Sequence, residues 1–573
     1  MKAVDKNIGR LIVGCVLACC LSQNINAQTL PNPGGGGDGG GGTNGYDPYD
    51  GFNPTPVITY PTNVTLKWYL AMPASGGSAL LSLAPDGTLY VPSAAAAATL
   101  WAIDPSVVDP TNPNYPAPDS FTNWVFNFGH ALYQTPTVDR NGIIYASMVA
   151  DAFTSGLFAL YAISPTNSVI WTFATSSVES QPTSTAIGND GTVYNLGKSY
   201  ICALTNAPGQ STGFTAYDPI DGYSATFGLT NVGLKWMNYE HHKGYWFQAA
   251  NQETCIPVIG ADGTLYCKSY TGTLYAFNAT NGAILWSTTN PPLYNIDPFA
   301  PTAPAIGSDG TIFYGVSRNF QAVNPKAALG TNGTMPFKWV YYDTVTDIYG
   351  SAAEWFCGSP VIGSDGTVYV ETESSSSNKL FAFNPTNGVP KWSTPIGTGI
   401  AYYGRYDKSG SLAVAADGEI YLADSDGTLY SFAPNGSINW TFQTGSYQCL
   451  NSPLIGPDGT IYVESLGGDF TTSYVYAFAG VSPIACSAWP EDGRNGRRTG
   501  AVALASAGSP IMTTNGFKFA ISGLTNAPVC PCSSSDLVTW TNLGQTVLTG
   551  GKTNFVDIGS TNYPYRFYRA FSQ

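Results

Sequence analysis

Short runs of alternating apolar and polar residues recur along most of the chain, separated by residues typical of tight turns. The commonest unit is a turn built on Asp-Gly or Asn-Gly followed by an alternating run, as in PDGTLY at residues 85–90. A period of two is typical of a half-buried β-strand, and the turn glycine supplies the positive φ that a tight hairpin needs. The pattern predicts an all-β chain.

The turn phrase occurs eight times, at intervals of 41 to 72 residues, and the widest interval contains an insertion. A tryptophan in a short strand, as in ILWST or INWTF, also occurs eight times. The turn glycines are Gly87, Gly142, Gly191, Gly263, Gly310, Gly366, Gly418 and Gly459, and the tryptophans are Trp68, Trp124, Trp171, Trp236, Trp286, Trp339, Trp392 and Trp440.

Four strands per repeat at this spacing describe one blade of a β-propeller, and eight blades fall within the usual range of closed rings. Trp68 precedes the first turn, whereas no tryptophan strand of the same pattern follows the last turn. The order predicts that an N-terminal strand carrying Trp68 completes the eighth blade, which removes the free edge of the ring.

The regions on either side of the repeats differ in composition. Residues 1–27 carry basic residues, then an apolar stretch and a small residue before the end, the form of a secretory signal peptide. Residues 28–63 are rich in Gly and Pro and predict a flexible linker. The propeller is assigned to residues 64–500. Residues 508–573 lack the turn phrase and predict a small C-terminal β-sandwich.

The signal segment predicts a protein that is secreted or held at the cell surface or in the periplasm. Val16-Leu17-Ala18-Cys19 is an imperfect lipobox, so a lipid anchor stays open. No later segment reaches the roughly 18 consecutive apolar residues of a transmembrane helix. The formal net charge of -14 argues against a nucleic-acid partner, because such binding needs a basic surface.

Cys255 and Cys267 flank one predicted hairpin turn at nearly symmetric distances. Since an exported protein enters an oxidising compartment, a disulfide between them is one hypothesis.

The phrase DGTLYCKSYTGTLYAFNATNGAILW at residues 262–286 resembles the pyrroloquinoline-quinone (PQQ) repeat of bacterial quinoprotein dehydrogenases and of outer-membrane assembly lipoproteins. The tail SAWPEDGRNGRRTG at residues 487–500 resembles the segment that often follows the last blade in such proteins. The resemblance implies an eight-bladed ring. In the dehydrogenases it also implies a quinone over the ring axis, with Ca²⁺, a catalytic Asp and two adjacent cysteines.

Those functional residues cannot be matched here, because the adjacent cysteines of this chain lie in the signal segment. No catalytic, cofactor-binding or metal-binding residue is therefore assigned, and no cofactor is predicted. The insertion at about residues 205–252 is the most distinctive local feature. It holds a candidate ligand-binding loop with Tyr239, His241, His242, Tyr245 and Trp246. A solvated loop, a sugar-stacking platform, a zinc site or the acid and base of a lyase are all compatible with these residues.

The expected function is that of an exported, non-catalytic β-propeller that binds a protein or glycan partner. The alternatives are a PQQ-dependent dehydrogenase using PQQ with calcium, or a propeller-type polysaccharide lyase.

Overall fold

The structure of the protein is a computed structural model that describes most of the chain from residue 64 onward. The predicted signal peptide and linker lie outside the described residues. All described residues belong to one compact unit, Tyr60–Gln573. The described ranges are 64–73, 80–93, 99–108, 122–128, 135–149, 158–175, 182–197, 199–206, 212–239, 256–269, 272–288, 303–316, 318–330, 332–342, 355–356, 358–373, 378–396, 412–424, 427–444, 448–449, 452–466, 472–485, 487, 490–492, 494–495, 498, 506–507, 511–513, 516–522, 528–534, 541–544, 546–559 and 566–572.

Strand β1 (Thr65–Pro73) is followed by four sheets, which are blades 1 to 4 of a propeller. Their strands are β2 (Ser82–Leu83), β3 (Leu89–Ser93), β4 (Thr99–Ile103) and β5 (Thr122–Asn127); β6 (Thr137–Val138), β7 (Ile144–Val149), β8 (Phe158–Ile163) and β9 (Val169–Thr175); β10 (Pro182–Ile187), β11 (Val193–Gly197), β12 (Tyr200–Thr205), then β13 (Thr212–Tyr217) and β14 (Ser224–Thr230), and β15 (Gly233–Tyr239); β16 (Val258–Ile259), β17 (Leu265–Lys268), β18 (Leu274–Phe277) and β19 (Ile284–Ser287).

Blades 5 to 8 follow the same plan. Their strands are β20 (Ala305–Ile306), β21 (Ile312–Val316), β22 (Asn319–Val323) and β23 (Phe337–Tyr342); β24 (Trp355–Phe356), β25 (Val361–Ile362), β26 (Val368–Glu373), β27 (Asn378–Phe383) and β28 (Pro390–Ile396); β29 (Leu412–Val414), β30 (Ile420–Ala423), β31 (Thr428–Phe432) and β32 (Ile438–Gln443); β33 (Gln448–Cys449), β34 (Leu454–Ile455), β35 (Thr460–Leu466) and β36 (Thr472–Ala479).

The described residues thus form eight antiparallel propeller sheets, and the all-β, eight-bladed fold expected from the repeats is confirmed. Neighbouring first strands touch at several points around the ring, for example β2 with β6 and β25 with β29. The short, buried first strands therefore form the inner edge of the ring. Apolar side chains fill the space between consecutive sheets, which is where the core lies.

In the last blade, β1 pairs with β36 from Thr65↔Ala479 to Pro73↔Thr472. Lys67 on β1 reaches Asp458 in the turn of the same blade at 3.1 Å. One hydrophobic cluster contains Trp68 of β1 together with Leu83 of blade 1, so the last sheet packs against the first.

All eight turn glycines have positive φ, between 80° and 92°. In seven of the turns the preceding aspartate accepts a hydrogen bond from the backbone N–H two residues later, at 2.9 to 3.1 Å. In blade 6, Lys391 adds an ion pair to Asp365 at 3.3 Å. Burial raises the pKa of Asp365, but the hydrogen bonds from Thr367 and the Lys391 charge outweigh it, so the pKa is lowered. The hydrogen bonds of the turn and the ion pair with Lys391 therefore explain why an aspartate occupies position 365.

Each of the eight repeat tryptophans packs against the Tyr or Phe that follows the turn glycine in its own blade. The ring centroids of these pairs are 5.7 to 6.1 Å apart. Four of the indole N–H groups also donate to a backbone carbonyl in the next blade, at 2.8 to 3.0 Å. The acceptors lie in the turn between the third and fourth strands. This repeated contact joins each of those blades to its neighbour.

The C-terminal part forms two further sheets. The first contains β37 (Ser506–Ala507), β38 (Ile511–Thr513), β39 (Gly516–Ser522) and β43 (Lys552–Asp557), and the second contains β40 (Pro528–Ser534), β41 (Thr541–Asn542), β42 (Thr546–Val547) and β44 (Phe567–Ser572). A short 3-10 turn, Thr549–Gly551, lies before β43. Side chains of both sheets share one apolar cluster around Phe519 and Val529.

The tryptophan contact predicts a difference between two glycine substitutions. Gly388 and Gly333 have nearly the same φ, 71° and 72°. A Cβ at Gly388 would lie 2.5 Å from Trp339, whereas one at Gly333 would have nothing within 4 Å. Both Gly→Ala changes carry a backbone cost of about 1 kcal/mol. Overpacking against the indole adds about 1–3 kcal/mol for Gly388→Ala alone. We expect its thermal unfolding midpoint to fall below that of Gly333→Ala, and equal midpoints would contradict a tight tryptophan contact.

Candidate functional site

The insertion in blade 3 builds a hairpin that leaves its own blade. After β12 the chain forms β13 and β14, and only then returns to pair β15 with β12. Strand β14 pairs with β9 of blade 2, from Phe227↔Thr175 to Thr230↔Thr172. Blade 2 therefore has six strands, in the order β13-β14-β9-β8-β7-β6. We call β13 and β14 the rim hairpin.

Aromatic packing holds the rim hairpin against blade 3. Strand β14 alternates exposed and buried positions along its whole length, so one face is apolar. On that face Phe227 stacks between Phe214 and Phe173, with centroids 5.3 and 5.5 Å away. The rings of Tyr200 and Tyr239 in blade 3 meet Phe227 edge-on. Ring pairs of this kind stabilise beyond the area that they bury.

A groove of about 520 Å³ lies between the rim hairpin, the outer strand of blade 3 and a turn of blade 4. We call it the rim groove. Its lining consists of Phe214, Ala216, Tyr217, Met237, Asn238, Tyr239, Asn281, Gly282 and Ala283. Tyr217 is 61% exposed. Asn238 donates to the Gly282 carbonyl at 3.2 Å, which fixes blade 3 to blade 4 at this point. Uncharged aromatic and amide groups therefore dominate the surface that a ligand would meet.

Of the predicted ligand-binding loop, the structure places Tyr239 in the rim groove. His241, His242, Tyr245 and Trp246 lie outside the described residues. Tyr217 on the hairpin and the groove residues of blade 4 were not among the predicted residues. The alternating run TGFTAY before the turn residues DPIDG was the available signal for the hairpin.

A second addition lies at the inner edge of the ring. We call Pro483–Arg498 the inner-edge segment; it overlaps the tail that resembles the segment after the last blade. Ala485 N–H donates to the Val414 carbonyl in blade 7, and Val414 N–H donates to the Pro490 carbonyl, both at 2.8 Å. Ser487 donates to the Ile362 carbonyl in blade 6. The segment thus follows the first strands of neighbouring blades.

Charged side chains of the inner-edge segment are buried. Arg498 donates to the Leu81 carbonyl in blade 1 at 3.2 Å and to the Ser452 carbonyl before β34 at 3.4 Å. Ser452 in turn donates to Asp492 at 3.1 Å. Arg498 therefore bridges the last blade and the first. Glu491 is 0% exposed. Burial raises its pKa to about 7, although the nearby Arg498 charge acts in the opposite direction.

No described residue at the inner edge of this ring is assigned to the quinone that the PQQ resemblance implies. The inner-edge segment already pairs with the first strand of blade 7 and bonds to blades 6, 8 and 1. The buried groups Asp492 and Arg498 are engaged with the protein itself. We derive no reaction step through a quinone.

Cys267 lies in β17 with its side chain in the apolar cluster between blades 3 and 4, and it is a buried thiol rather than half of a disulfide. The structure therefore does not contain the predicted Cys255–Cys267 bond. The register Val258↔Tyr266 and Ile259↔Leu265 explains this, because it places Pro257 opposite Cys267. Cys255 itself lies outside the described residues.

The described residues contain no group of three or more His, Cys, Asp or Glu side chains arranged to hold a metal ion. In the same part of the chain, no helix has the length and apolar character needed to cross a membrane.

The PQQ_2 family model, described as outer membrane protein assembly factor BamB, matches residues 236–329 and 351–475. The described residues form an eight-bladed β-propeller whose repeats are similar to those of this family. The match and the eight sheets together confirm the resemblance that the repeat phrases indicated. No curated protein matches the chain in sequence.

Solved structures to which the chain is similar include BamB from Moraxella catarrhalis, at 12% identity and a TM-score of 0.46 over 72% of this chain and 99% of that chain. The quinohemoprotein alcohol dehydrogenase from Comamonas testosteroni has 12% identity and a TM-score of 0.47 over 74% and 77% of the two chains. A europium-containing methanol dehydrogenase has 12% identity and a TM-score of 0.33 over 73% and 93%.

The buried Glu491 predicts an unusual pH dependence of stability. Its pKa in the folded protein is about 7, against an ordinary value of 4.5. Between these values the unfolded chain loses the proton while the folded chain keeps it, so the free energy of unfolding falls as pH rises from 4.5 to 7 and is constant above. Glu491→Gln should remove this loss, which amounts to about 3 kcal/mol at pH 8.

Denaturant unfolding at pH 5 and pH 8 measures the effect. The matched control is Asp262→Asn, which neutralises an exposed carboxyl in a blade turn and should leave the wild-type pH dependence in place. A Glu491→Gln protein that still loses stability over this interval would show that the buried carboxyl is not the cause.

Proposed function

We propose that this chain is an exported, non-catalytic β-propeller that binds a protein or glycan partner in the rim groove. The observation that carries the proposal is the rim hairpin. It adds strands that the blade does not need, and it brings aromatic and amide side chains from three blades to one concave surface. Binding sites commonly lie on such additions to a rigid scaffold.

The chemistry of the groove favours binding over catalysis. Among the described residues that line it there is no carboxylate, histidine or cysteine, the side chains that most often serve as acid, base or nucleophile. Exposed Tyr217 offers a flat apolar ring with a polar tip, and Asn238 and Asn281 offer amide donors and acceptors. Such groups suit recognition of a sugar ring or of a peptide.

Export is supported by the form of residues 1–27 and by the family match, since the matching model describes an outer membrane assembly factor. A periplasmic or cell-surface location, with or without a lipid anchor, follows from the same two observations. The quinoprotein alternative is disfavoured by the inner-edge segment, which forms hydrogen bonds with the first strands of blades 6 and 7. The lyase alternative depends on His241 and His242, which lie outside the described residues.

Substitution of Tyr217 tests the proposed site. Binding of the purified full chain is first measured on a glycan array and on arrayed peptides. For the ligand found, Tyr217→Ala should weaken binding about 10-fold or more, because an exposed aromatic ring in a groove is a typical binding hot spot. The control is Tyr342→Ala, since Tyr342 is 53% exposed on the outer strand of blade 5, away from the groove.

Equal loss in both variants, or loss in neither, would place the binding site elsewhere. A stoichiometric quinone absorbance after addition of PQQ and Ca²⁺, together with reduction of a dye by alcohols or sugars, would replace this proposal with the dehydrogenase alternative.

A further inference from the structure

The outer edge of β13 is open in the described part of the chain. Strand β13 is the last strand of the six-stranded sheet, and its pairing is with β14 alone. A strand in this position presents a row of unused N–H and C=O groups, to which an extended chain can add.

The outward-facing groups of β13 can be assigned from its turn. Asp218 N–H donates to the Tyr223 carbonyl at 2.9 Å, one step beyond the pair Tyr217↔Ser224. Asp218 and Tyr223 are therefore a hydrogen-bonded pair, and such pairs alternate with unbonded ones along an antiparallel ladder. It follows that Gly213, Thr215 and Tyr217 direct their backbone groups away from β14.

The outer strands of the ordinary blades are built differently. In all eight blades the register of the outer strand shifts next to the repeat tryptophan. Several of these strands also carry a lysine beside that tryptophan, such as Lys338 and Lys391. Bulges and lysines are devices that disfavour the addition of another chain to an edge, and in blade 2, whose outer strand β9 carries no lysine, the rim hairpin covers the edge instead. The protein thus protects its regular edges.

Strand β13 has neither device. Its sequence TGFTAY contains no charged residue and no proline. Its register with β14 runs without a shift from Thr212↔Leu229 to Tyr217↔Ser224. An edge that lacks the protection found on the regular edges of the same molecule is suited to an added strand.

We propose, on the basis of the proposed function, that the partner is a protein that adds an extended segment to β13 as a further strand. Phe214, Ala216 and Tyr217 of β13 also line the rim groove, so alternate side chains of the segment enter that groove. The described lining of the groove is uncharged and the chain carries a net charge of -14, so the segment has apolar or neutral residues at these positions and is not acidic overall.

Thr215→Pro and Thr215→Val form the matched test. Proline removes the outward N–H of Thr215 while leaving the ladder to β14, since proline is tolerated where an edge N–H is unused. Valine removes only the hydroxyl. A display library of random linear peptides of about 12 residues, long enough to cover β13, is selected on the full chain. The selected peptide should bind the Thr215→Pro chain at least about 10-fold more weakly than the wild-type chain, and should bind Thr215→Val as tightly as the wild type.

A second measurement is independent of how Thr215→Pro folds. The selected peptide is resynthesised with N-methyl groups at alternate residues, in the two possible registers. One register should abolish binding to the wild-type chain and the other should not, because only alternate backbone N–H groups of an added strand face β13.

The outcomes separate this inference from the proposed function. Strand addition would be overturned if the selected peptide bound the Thr215→Pro chain as tightly as the wild-type chain, and if both N-methylated peptides bound the wild-type chain as tightly as the unmodified peptide. Binding on the glycan array that depends on Tyr217, with no peptide selected, would also overturn it but would leave the rim groove as the binding site. Absence of both peptide and glycan binding would overturn both proposals.

Discussion

The contact on which the ring depends is made by the outer-strand tryptophan of each blade. It packs on the aromatic ring that follows the turn glycine in its own blade, and in four blades it donates to a carbonyl of the next. The contact between blades 2 and 3 is kept although blade 3 carries an insertion. The insertion begins at the position of the turn that supplies the carbonyl acceptor in other blades. The side-chain oxygen of Asn206 in blade 3 accepts the indole N–H of Trp171 in blade 2 instead, at 2.6 Å.

Keeping that contact restricts where the chain can accept additional residues. The rim hairpin leaves blade 3 after Asn206 and settles on the outer edge of blade 2, so the seam around Trp171 is not interrupted. The inner-edge segment is added at the opposite end of the sheets, against their first strands. Both additions contribute side chains to the apolar clusters between blades without displacing the repeat tryptophans, and this is why the repeat pattern survives them.

The blades could be predicted from sequence because their signals are local. Alternation, a turn glycine and a tryptophan all fall within one repeat, and the structure has the turn glycines at positive φ. The partner of β14 could not be predicted, since its alternating pattern specifies a strand but not the distant β9 edge. The burial of Glu491 and Arg498 was equally hidden, because charged residues after a last strand are usually solvated. Tyr239 was found because it stands beside the distinctive loop sequence, whereas Tyr217 lies on the hairpin of the same insertion and Asn281 comes from a turn of blade 4.

The two additions have opposite consequences for binding. At the inner edge, the added segment bonds to blades 6, 7, 8 and 1, and its buried Arg498 donates to backbone carbonyls of the protein. At the rim, the added hairpin has an apolar face that packs on blade 3 and an edge that stays open. Buried polar groups that are already paired gain little from a ligand, whereas an open strand edge and an exposed aromatic ring gain contacts that the isolated protein lacks. This contrast supports the proposed recognition site at the circumference of the propeller rather than at its axis.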